Sequence, residues 1–592
     1  MRTHPRRAPA DPLVRFTAAV ALALLAFGVP AGAQVSVDAK LGLMQPVQPP
    51  RDRREVAPPT GTASISGRVT SAEGGAPIRR VQVRVAGGDI RRGRSVMTDA
   101  DGKYTIDKLP AGRYSVYFNR SGFVGASYGS RRWNQPGKPI DLANGQKLEK
   151  IDIALSRGGV VAGRVFDEFG EPVVDARVQV MQYRWANGRR RMANMGRWGQ
   201  TNDRGEFRVW SLAPGEYYVA AVSSERMFFA GPMAPPDPAE SSGYAPTYFP
   251  GTASVDEAQR VAVGPGQEVN GIDFTMVTTR TASVSGTVLS SDGRPMTRAS
   301  VMLTLRAAME AGGPMSPFGS GTDEKGNFTV MGVPPGEYMI QARSDRGMGE
   351  DRGDPEMATA AVTVAGEDVR NLMLVATRGV RVSGRVVFET SPPSGSMTSL
   401  NIFFQPAADE PMMMMMMGGP GNTPVTEQNT FEARGILGRR RIVLSGLASG
   451  WALKSVRIGG TDVTDTGFEF GKENVSNVEL LVTNRTTTVT GVVRNEKNEV
   501  LTDYAVVAFS TDEAHWQFPS RRVNVAQPDQ NGTYRLRNLP PGSYFLIALD
   551  SMPEELGNPD LFRQWQTDAT RLTIDEGEQR TLDLPLRASP SA

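Results

Sequence analysis

The chain has 592 residues, including 64 Gly and 42 Pro, and it contains no Cys. A chain of this length is too long for one hydrophobic core, and its turn-rich composition favours many short strands over long helices. The lack of Cys excludes disulfides, Cys-ligated zinc and a Cys nucleophile, and a formal net charge of +3 gives no electrostatic argument for nucleic acid.

The N-terminal segment has the pattern of an export signal. Four arginines precede an apolar run at 16–29, and the small residues Ala31, Gly32 and Ala33 follow. This order predicts a secretory signal peptide at 1–33 that is cleaved after Ala33. An uncleaved membrane anchor is the alternative, but the run is shorter than the roughly 20 apolar residues that a spanning helix needs. Cleavage would leave 62 basic and 62 acidic side chains and no transmembrane segment.

Residues 34–62 are rich in Pro and predict a flexible leader, after which an alternating strand with a central Gly recurs along the chain. Its five copies are SISGRV at 64–69, VVAGRV at 160–165, SVSGTV at 283–288, RVSGRV at 381–386 and TVTGVV at 488–493. The central glycines lie between 96 and 123 residues apart. Because this spacing is the size of a domain, we expect about five modules.

Each repeat also contains a polar turn with a Gly, a short strand and a Pro-Gly-x-Tyr corner, first seen in TDADGKYTIDKLPAGRYSV at 98–116. The turn Gly permits a positive φ, and the corner Tyr begins the next strand as a core residue. The turn Gly, corner Gly and corner Tyr of the four clear copies are Gly102, Gly112 and Tyr114; Gly205, Gly215 and Tyr217; Gly326, Gly336 and Tyr338; and Gly532, Gly542 and Tyr544. The fourth repeat keeps only a degenerate copy at 430–456.

These motifs resemble the carboxypeptidase regulatory-like domain, a prealbumin-like β-sandwich that is also grouped with carbohydrate-binding-like folds. The resemblance rests on the Gly-x-Val strand, the Thr-Asp-x-x-Gly turn and the Leu-Pro-Pro-Gly-x-Tyr corner, and it implies the sandwich fold. Period-two alternation with frequent turns also favours antiparallel sandwiches. We therefore predict an all-β chain, a tandem array of about five prealbumin-like antiparallel β-sandwich modules preceded by a signal peptide. The predicted modules cover 63–157, 158–280, 281–378, 379–486 and 487–588, of which the fourth is degenerate.

The residues that catalysis would need are scarce. The family name refers to zinc carboxypeptidases, whose zinc site requires two His and a Glu. The predicted mature chain has a single His, His515. His515 could serve a Ser-His-Asp arrangement, yet no Gly-x-Ser-x-Gly elbow accompanies it. Acidic residues are plentiful, so a carboxylate pair for glycoside hydrolysis is not excluded by count. We predict a protein that is not an enzyme and that needs no cofactor or metal.

An aromatic and basic insertion in the second repeat is the strongest candidate for binding. The segment YRWANGRRRMANMGRWGQ at 183–200 offers flat rings for stacking on a sugar face and guanidinium groups for hydroxyls or carboxylates. The predicted carbohydrate-binding residues are Trp185, Trp198, Arg189, Arg190, Arg191 and Tyr248. The alternative is a hairpin whose aromatic side chains pack on a neighbouring module, and this alternative applies with most force to the loop that carries Tyr248.

A run of six methionines at 412–417 is the other unusual feature. Thioethers can ligate Cu(I), but the flanking Gly and Pro favour a low-complexity loop over a preformed metal site. We leave copper binding at this run open.

The sequence therefore predicts an exported, non-catalytic binding or scaffold protein of the periplasm or the extracellular space. Carbohydrate binding or adhesion is the first hypothesis. The alternatives are a structural spacer or protein–protein assembly subunit of the cell envelope, and an accessory part of a carboxypeptidase or hydrolase system. The expected partners are glycans or envelope and extracellular proteins, with no nucleic acid, and the oligomeric state is open.

Overall fold

The structure is a computed structural model that describes residues 60–88, 90–130, 135–186, 189–223, 242–310, 312–313, 318–344, 354–391, 400–406, 422–516, 520–552, 555–556 and 558–587. The predicted signal peptide, nearly all of the predicted leader and the methionine run at 412–417 lie outside the described residues. No helix in the described part of the chain is long and apolar enough to cross a membrane.

The chain folds into successive β-sandwiches, each with its own buried core, as the alternation of apolar residues predicted. In every sandwich the Gly-centred strand pairs antiparallel with the strand that follows the polar turn and parallel with the closing strand of the same module. A second sheet carries the corner Tyr or its replacement and packs on the first. The predicted all-β class and the tandem sandwich architecture are confirmed.

Module one consists of nine strands around a core that includes Ile65, Val83 and Tyr114. They are β1 (Ala63–Ser71), β2 (Gln82–Gly87), β3 (Ile90–Met97), β4 (Lys103–Leu109), β5 (Gly112–Asn119), β6 (Ala126–Ser127), β7 (Ile140–Leu142), β8 (Lys147–Leu148) and β9 (Ile153–Leu155). One sheet has the order β4-β1-β8, with β9 also on β1, and the other has the order β3-β2-β5-β6, with β7 also on β5.

Module two has the same two sheets, a small two-stranded sheet and one unusually long hairpin. Its strands are β10 (Gly159–Phe166), β11 (Arg177–Ala186), β12 (Arg189–Gln200), β13 (Glu206–Leu212), β14 (Gly215–Val222), β15 (Ser242–Tyr244), β16 (Thr247–Tyr248), β17 (Val261–Val263), β18 (Glu268–Val269), β19 (Phe274–Thr275) and β20 (Thr278–Arg280). The sheet order β12-β11-β14-β16 places the long hairpin, β11 and β12, at one edge of the second sheet.

Module three adds a five-residue helix to the sandwich. Its elements are β21 (Ala282–Leu289), β22 (Ser300–Leu305), α1 (Arg306–Glu310), β23 (Phe318–Gly321), β24 (Asn327–Val333), β25 (Gly336–Arg343), β26 (Glu356–Val364), β27 (Val369–Val375) and β28 (Thr377–Arg378). The sheets have the orders β24-β21-β27 and β23-β22-β25-β26-β28.

Module four has two complete sheets although its corner motif is degenerate. Its strands are β29 (Val380–Phe388), β30 (Asn401–Pro406), β31 (Thr423–Pro424), β32 (Thr430–Ile436), β33 (Gly438–Ser445), β34 (Ala452–Ile458), β35 (Thr461–Asp462), β36 (Phe468–Phe470) and β37 (Val475–Thr483). The orders are β32-β29-β37-β34-β35 and β31-β30-β33-β36, and the core between them includes Val382, Ile402 and Phe470.

Module five differs because its closing strand joins the two sheets into one, in the order β40-β39-β42-β45-β38-β41. Its elements are β38 (Thr488–Arg494), β39 (Ala505–Ser510), β40 (Val523–Ala526), β41 (Thr533–Arg537), β42 (Gly542–Leu549), α2 (Pro559–Trp565), β43 (Thr570–Ile574), β44 (Gln579–Thr581) and β45 (Leu584–Arg587). Helix α2 begins after Asn558, whose side chain accepts a hydrogen bond from the Asp560 amide. Phe562 and Trp565 of this helix cover the outer face of β39, which is therefore buried on both sides.

The repeated corner Tyr holds the start of its strand by a hydrogen bond to the backbone. The hydroxyl donates to the carbonyl oxygen four residues earlier, from Tyr114 to Pro110 at 2.8 Å and from Tyr338 to Pro334 at 2.9 Å. The same bond is 2.5 Å in module two and 2.6 Å in module five. Module four lacks the Tyr, and Arg440 Nε donates to the Leu437 carbonyl at 2.7 Å instead. The bond fixes the turn between two core strands, as in the tyrosine corner of other sandwiches.

Two kinds of glycine in the repeat have structural causes. The turn glycines, such as Gly102 with φ 72°, adopt a left-handed conformation that favours Gly, and Asp99 Oδ1 accepts two backbone amides across this turn. The strand glycines pass close to the parallel closing strand. A Cβ on Gly286 would lie 1.9 Å from the Leu372 carbonyl oxygen. A larger residue would therefore push the two strands apart.

Candidate glycan-binding site

The predicted binding residues lie mainly on the long hairpin of module two. In β11 the residues Val178 and Val180 point into the core, so Gln179, Tyr183 and Trp185 share the opposite face. Across the hairpin Gln179 pairs with Trp198, and Trp185 pairs with Arg190. We call this side of the hairpin the outer face of module two.

Trp198 is the most accessible predicted ring, with 54% of its surface exposed. The Arg177 guanidinium carbon lies 4.6 Å from the centroid of this ring, which is a cation–π distance. Arg177 Nε is buried and has no hydrogen-bond partner within the described structure. Trp198 therefore presents a flat ring beside a positive group.

Trp210 is a functional candidate that the sequence analysis missed. It lies on β13, where Phe207 and Val209 point inward and Trp210 points outward with 41% of its surface exposed. The Arg197 guanidinium carbon lies 5.7 Å from its ring centroid. The alternation in EFRVWSL at 206–212 already marks this Trp as outward, so the signal was present in the sequence.

Trp185 and the arginine run lie at the other end of the hairpin. Trp185 lies six positions after Gln179, the partner of Trp198, which corresponds to about 20 Å along a strand. The two rings therefore do not contact one sugar, although both belong to the outer face. Arg190 lies over the Tyr183 ring at 4.4 Å, and Arg189 is exposed at the tip. Arg191 is half-buried, and its Nε has no hydrogen-bond partner within the described structure.

Tyr248 is buried and belongs to a different environment from the exposed rings. Its side chain is 7% exposed and packs with Met181, Met192 and Ala220. Burial raises the pKa of its hydroxyl well above the usual value. Met192 forms a backbone bridge with Gly312 of module three, so the neighbouring module lies against this cluster. Tyr248 thus lines a contact between modules, and its ring is not exposed for stacking on a sugar.

His515 lies far along the chain in module five, at the end of a short 3-10 turn, Glu513–His515. Its Nδ1 is 3.4 Å from Asp512 Oδ2, and the following residue, Trp516, is buried in the core. Among the described residues there is no group of three or more His, Asp or Glu side chains placed to hold a metal ion.

Comparison with known families identifies two of the sandwiches. Residues 64–156 and 283–374 match the carboxypeptidase regulatory-like domain. These two matches coincide with modules one and three. Modules two, four and five share their strand pairing around the Gly-centred strand. No curated protein matches the chain at a significant level.

Several solved structures of bacterial pilins are similar to parts of this chain. The streptococcal ancillary pilin is 14% identical, with 53% of this chain and 98% of that chain covered and a TM-score of 0.19. A minor pilin of Streptococcus agalactiae is 13% identical over 36% of this chain and 97% of that chain, with a TM-score of 0.20. The major pilin subunit of Bacillus cereus is 11% identical over 53% of this chain and 99% of that chain, with a TM-score of 0.13.

Proposed function

We propose that the chain is an exported, non-catalytic scaffold whose second module binds glycan chains through the exposed rings of Trp198 and Trp210 and the nearby arginines. The observation that carries the proposal is the exposure of Trp198, 54%, beside the guanidinium of Arg177. A Trp ring combines a large apolar face with a polar N–H group, which suits it to a binding surface. Sugar rings present flat C–H faces for such rings, and their hydroxyls accept from guanidinium groups.

The charge of the hairpin favours acidic glycans over neutral ones. Within the described part of the chain, Arg177, Arg190 and Arg197 form no ion pair, and each contacts an aromatic ring. On the neighbouring sheet the situation differs, because Arg204 pairs with Glu206 at 2.9 Å and Arg208 with Glu268 at 3.4 Å. Unpaired guanidinium groups bind carboxylates in bidentate geometry, so the hairpin surface that carries the three arginines fits a uronic-acid polymer.

The export and non-catalytic parts of the proposal rest on the sequence. The N-terminal segment at 1–33 has the order of a signal peptide, and the predicted mature chain holds a single His and no Cys. His515 Nδ1 lies 3.4 Å from the carboxylate of Asp512 in its own turn. A hydrolase would need a base and a nucleophile within hydrogen-bond reach of each other.

Binding of the purified protein to a glycan array, followed by calorimetry on the best acidic polysaccharide, tests the proposal. We expect Trp198→Ala to weaken binding about tenfold, because loss of one stacking ring costs on the order of 1.4 kcal/mol. Phe169→Ala is a matched control, since Phe169 is also in module two and is 83% exposed. Equal effects of the two substitutions, or no glycan signal for the wild-type chain, would exclude this site.

A structural spacer is the second candidate function, and the burial of Tyr248 favours it. The aromatic cluster of module two is covered by Gly312 and Gly313 of module three, and a Cβ on Gly313 would be 3.3 Å from the Tyr248 hydroxyl. Such packing restricts the angle between neighbouring modules. If the chain binds no glycan but Tyr248→Ala increases its flexibility in small-angle scattering, the spacer role is the better description.

A further inference from the structure

The first and last modules of the chain contact each other although almost 400 residues separate them. The Gln530 side chain pairs with the backbone of Asp141 in β7, where its Oε1 accepts from the amide at 3.1 Å and its Nε2 donates to the carbonyl at 2.9 Å. This pair of bonds continues the hydrogen bonding of β7 beyond the edge of module one. We call the surface around it the 1–5 interface.

Charged groups surround this amide pair. Asp141 Oδ2 accepts from Arg535 of module five at 3.1 Å and is 3.5 Å from Arg113 of module one. Lys138 Nζ lies 3.6 Å from Asp503 Oδ1, which is a second ion pair between the modules. The Gln135 side chain, 8% exposed, donates to the Met552 carbonyl at 3.0 Å. Module one thus offers a carboxylate and an ammonium group, and module five offers the complementary guanidinium and carboxylate.

The described contacts of the 1–5 interface are polar, and the hydrophobic clusters of modules one and five remain separate. The charged side chains of the two ion pairs keep between 19% and 40% of their surface exposed. Partly exposed ion pairs contribute little and are screened by salt. Polar interfaces between domains of one chain are typically transient. The interface is therefore stable mainly because the two modules are held in one chain.

We propose that the two halves of the 1–5 interface also pair between copies, so that module five of one chain binds module one of a second chain. When the interface opens, each chain exposes both complementary halves. Because the halves differ, pairing between copies is heterologous and joins chains head to tail, either in a reciprocal dimer or in a longer assembly. The partner is thus a second copy of this chain, and glycan binding is not required.

A zero-length cross-linking experiment on the full chain tests this proposal directly. A carbodiimide joins Lys138 to Asp503 only when their side chains are in contact, as they are at 3.6 Å. In a mixture of unlabelled and 15N-labelled chains, we expect the mixed-isotope cross-link between these residues to increase with protein concentration. If every such cross-link remains within one chain up to high concentration, the proposal is wrong.

Charge reversal provides an independent test that does not depend on the cross-linking yield. Asp141→Arg and Arg535→Asp each place like charges across the 1–5 interface, so we expect each variant alone to lose the Lys138–Asp503 cross-link at least tenfold and to remain monomeric. In an equal mixture both pairings between the two chains are complementary, since the substituted halves carry opposite charges and the unsubstituted halves keep Asp141 and Arg535. The mixture should therefore form dimers in size-exclusion chromatography with light scattering. Arg385→Glu in module four, which reverses an exposed charge 3.1 Å from Glu479, is the control. A monomeric mixture of correctly folded variants would overturn the proposal.

Discussion

Removal of one corner hydroxyl should destabilise a single module without changing its core volume. In module three the Tyr338 side chain is 2% exposed, its ring packs edge-on against Phe318 at 6.2 Å, and its hydroxyl donates to the Pro334 carbonyl at 2.9 Å. Burial raises the pKa of this hydroxyl far above its usual value. Tyr338→Phe keeps the ring contact and leaves the carbonyl oxygen without its donor.

The expected decrease in the free energy of unfolding follows from the loss of a buried hydrogen bond. An unsatisfied buried acceptor costs about 1–3 kcal/mol, which corresponds to roughly a 5- to 150-fold change in an opening equilibrium. Hydrogen exchange followed by mass spectrometry resolves the modules separately. We expect the amides of β24 and β25 to exchange faster by that factor in Tyr338→Phe, while the amides of β38 and β42 in module five keep their wild-type rates.

Tyr117→Phe is the matched control, because Tyr117 is on a module-one strand and is 45% exposed. Its substitution should leave exchange within the experimental error in every module. Unchanged protection of module three in Tyr338→Phe would show that the corner bond is not needed for stability. Equal loss of protection in all modules would show that the modules do not unfold as separate units.

Three further predictions concern a strand glycine, a corner tyrosine and a partly buried aspartate. Gly286→Ala should destabilise module three by about 1–3 kcal/mol in urea unfolding, because the new Cβ would contact the Leu372 carbonyl; an unchanged midpoint would contradict the close approach. Burial raises the pKa of Tyr217 to about 12. The protonated Tyr217 hydroxyl therefore contributes fully to the stability of the folded state below about pH 10, and this stabilisation is lost as the pH rises through 12. Tyrosinate absorbance should rise together with loss of circular dichroism. Burial opposes ionisation of Asp465, but two arginines hold its pKa below the usual value. The ionised Asp465 carboxylate thus stabilises the folded state above about pH 4, and this stabilisation is lost as the pH falls further. Asp465→Asn should therefore reduce the acid dependence of the urea midpoint.

The sandwich architecture could be predicted because its causes are local. Each repeat needs a Gly where the closing strand passes, a turn Gly at positive φ and an anchor at the corner, and these residues recur at fixed offsets. The apolar residues of a half-buried strand also alternate with period two, as in Val81, Val83 and Val85. These local signals determine the strands and turns of each module. The fold class could therefore be predicted from the sequence without knowing how the strands pair over long distances.

The candidate site was harder to predict because exposure depends on the neighbouring module. Tyr248 resembles an accessible loop aromatic in the sequence, but Met192 and module three cover it. Trp210 is outward by the alternation of its strand, but it lies within the repeat motif, whose residues are interpreted as structural. Helix α2 has seven residues and depends on burial of Phe562 and Trp565 against β39, since isolated helices of this length are not stable.

Module four shows which part of the corner motif the fold requires. It has no corner Tyr, yet it forms two complete sheets around a buried core. Arg440 is the third residue of β33, the position that the corner Tyr has in the other modules; it is 8% exposed and donates to the Leu437 carbonyl at 2.7 Å. A guanidinium and a phenol share little besides a long side chain and a donor at its end. The common requirement is therefore a donor that reaches back to the carbonyl before the corner, and the aromatic ring is one of two ways to supply it.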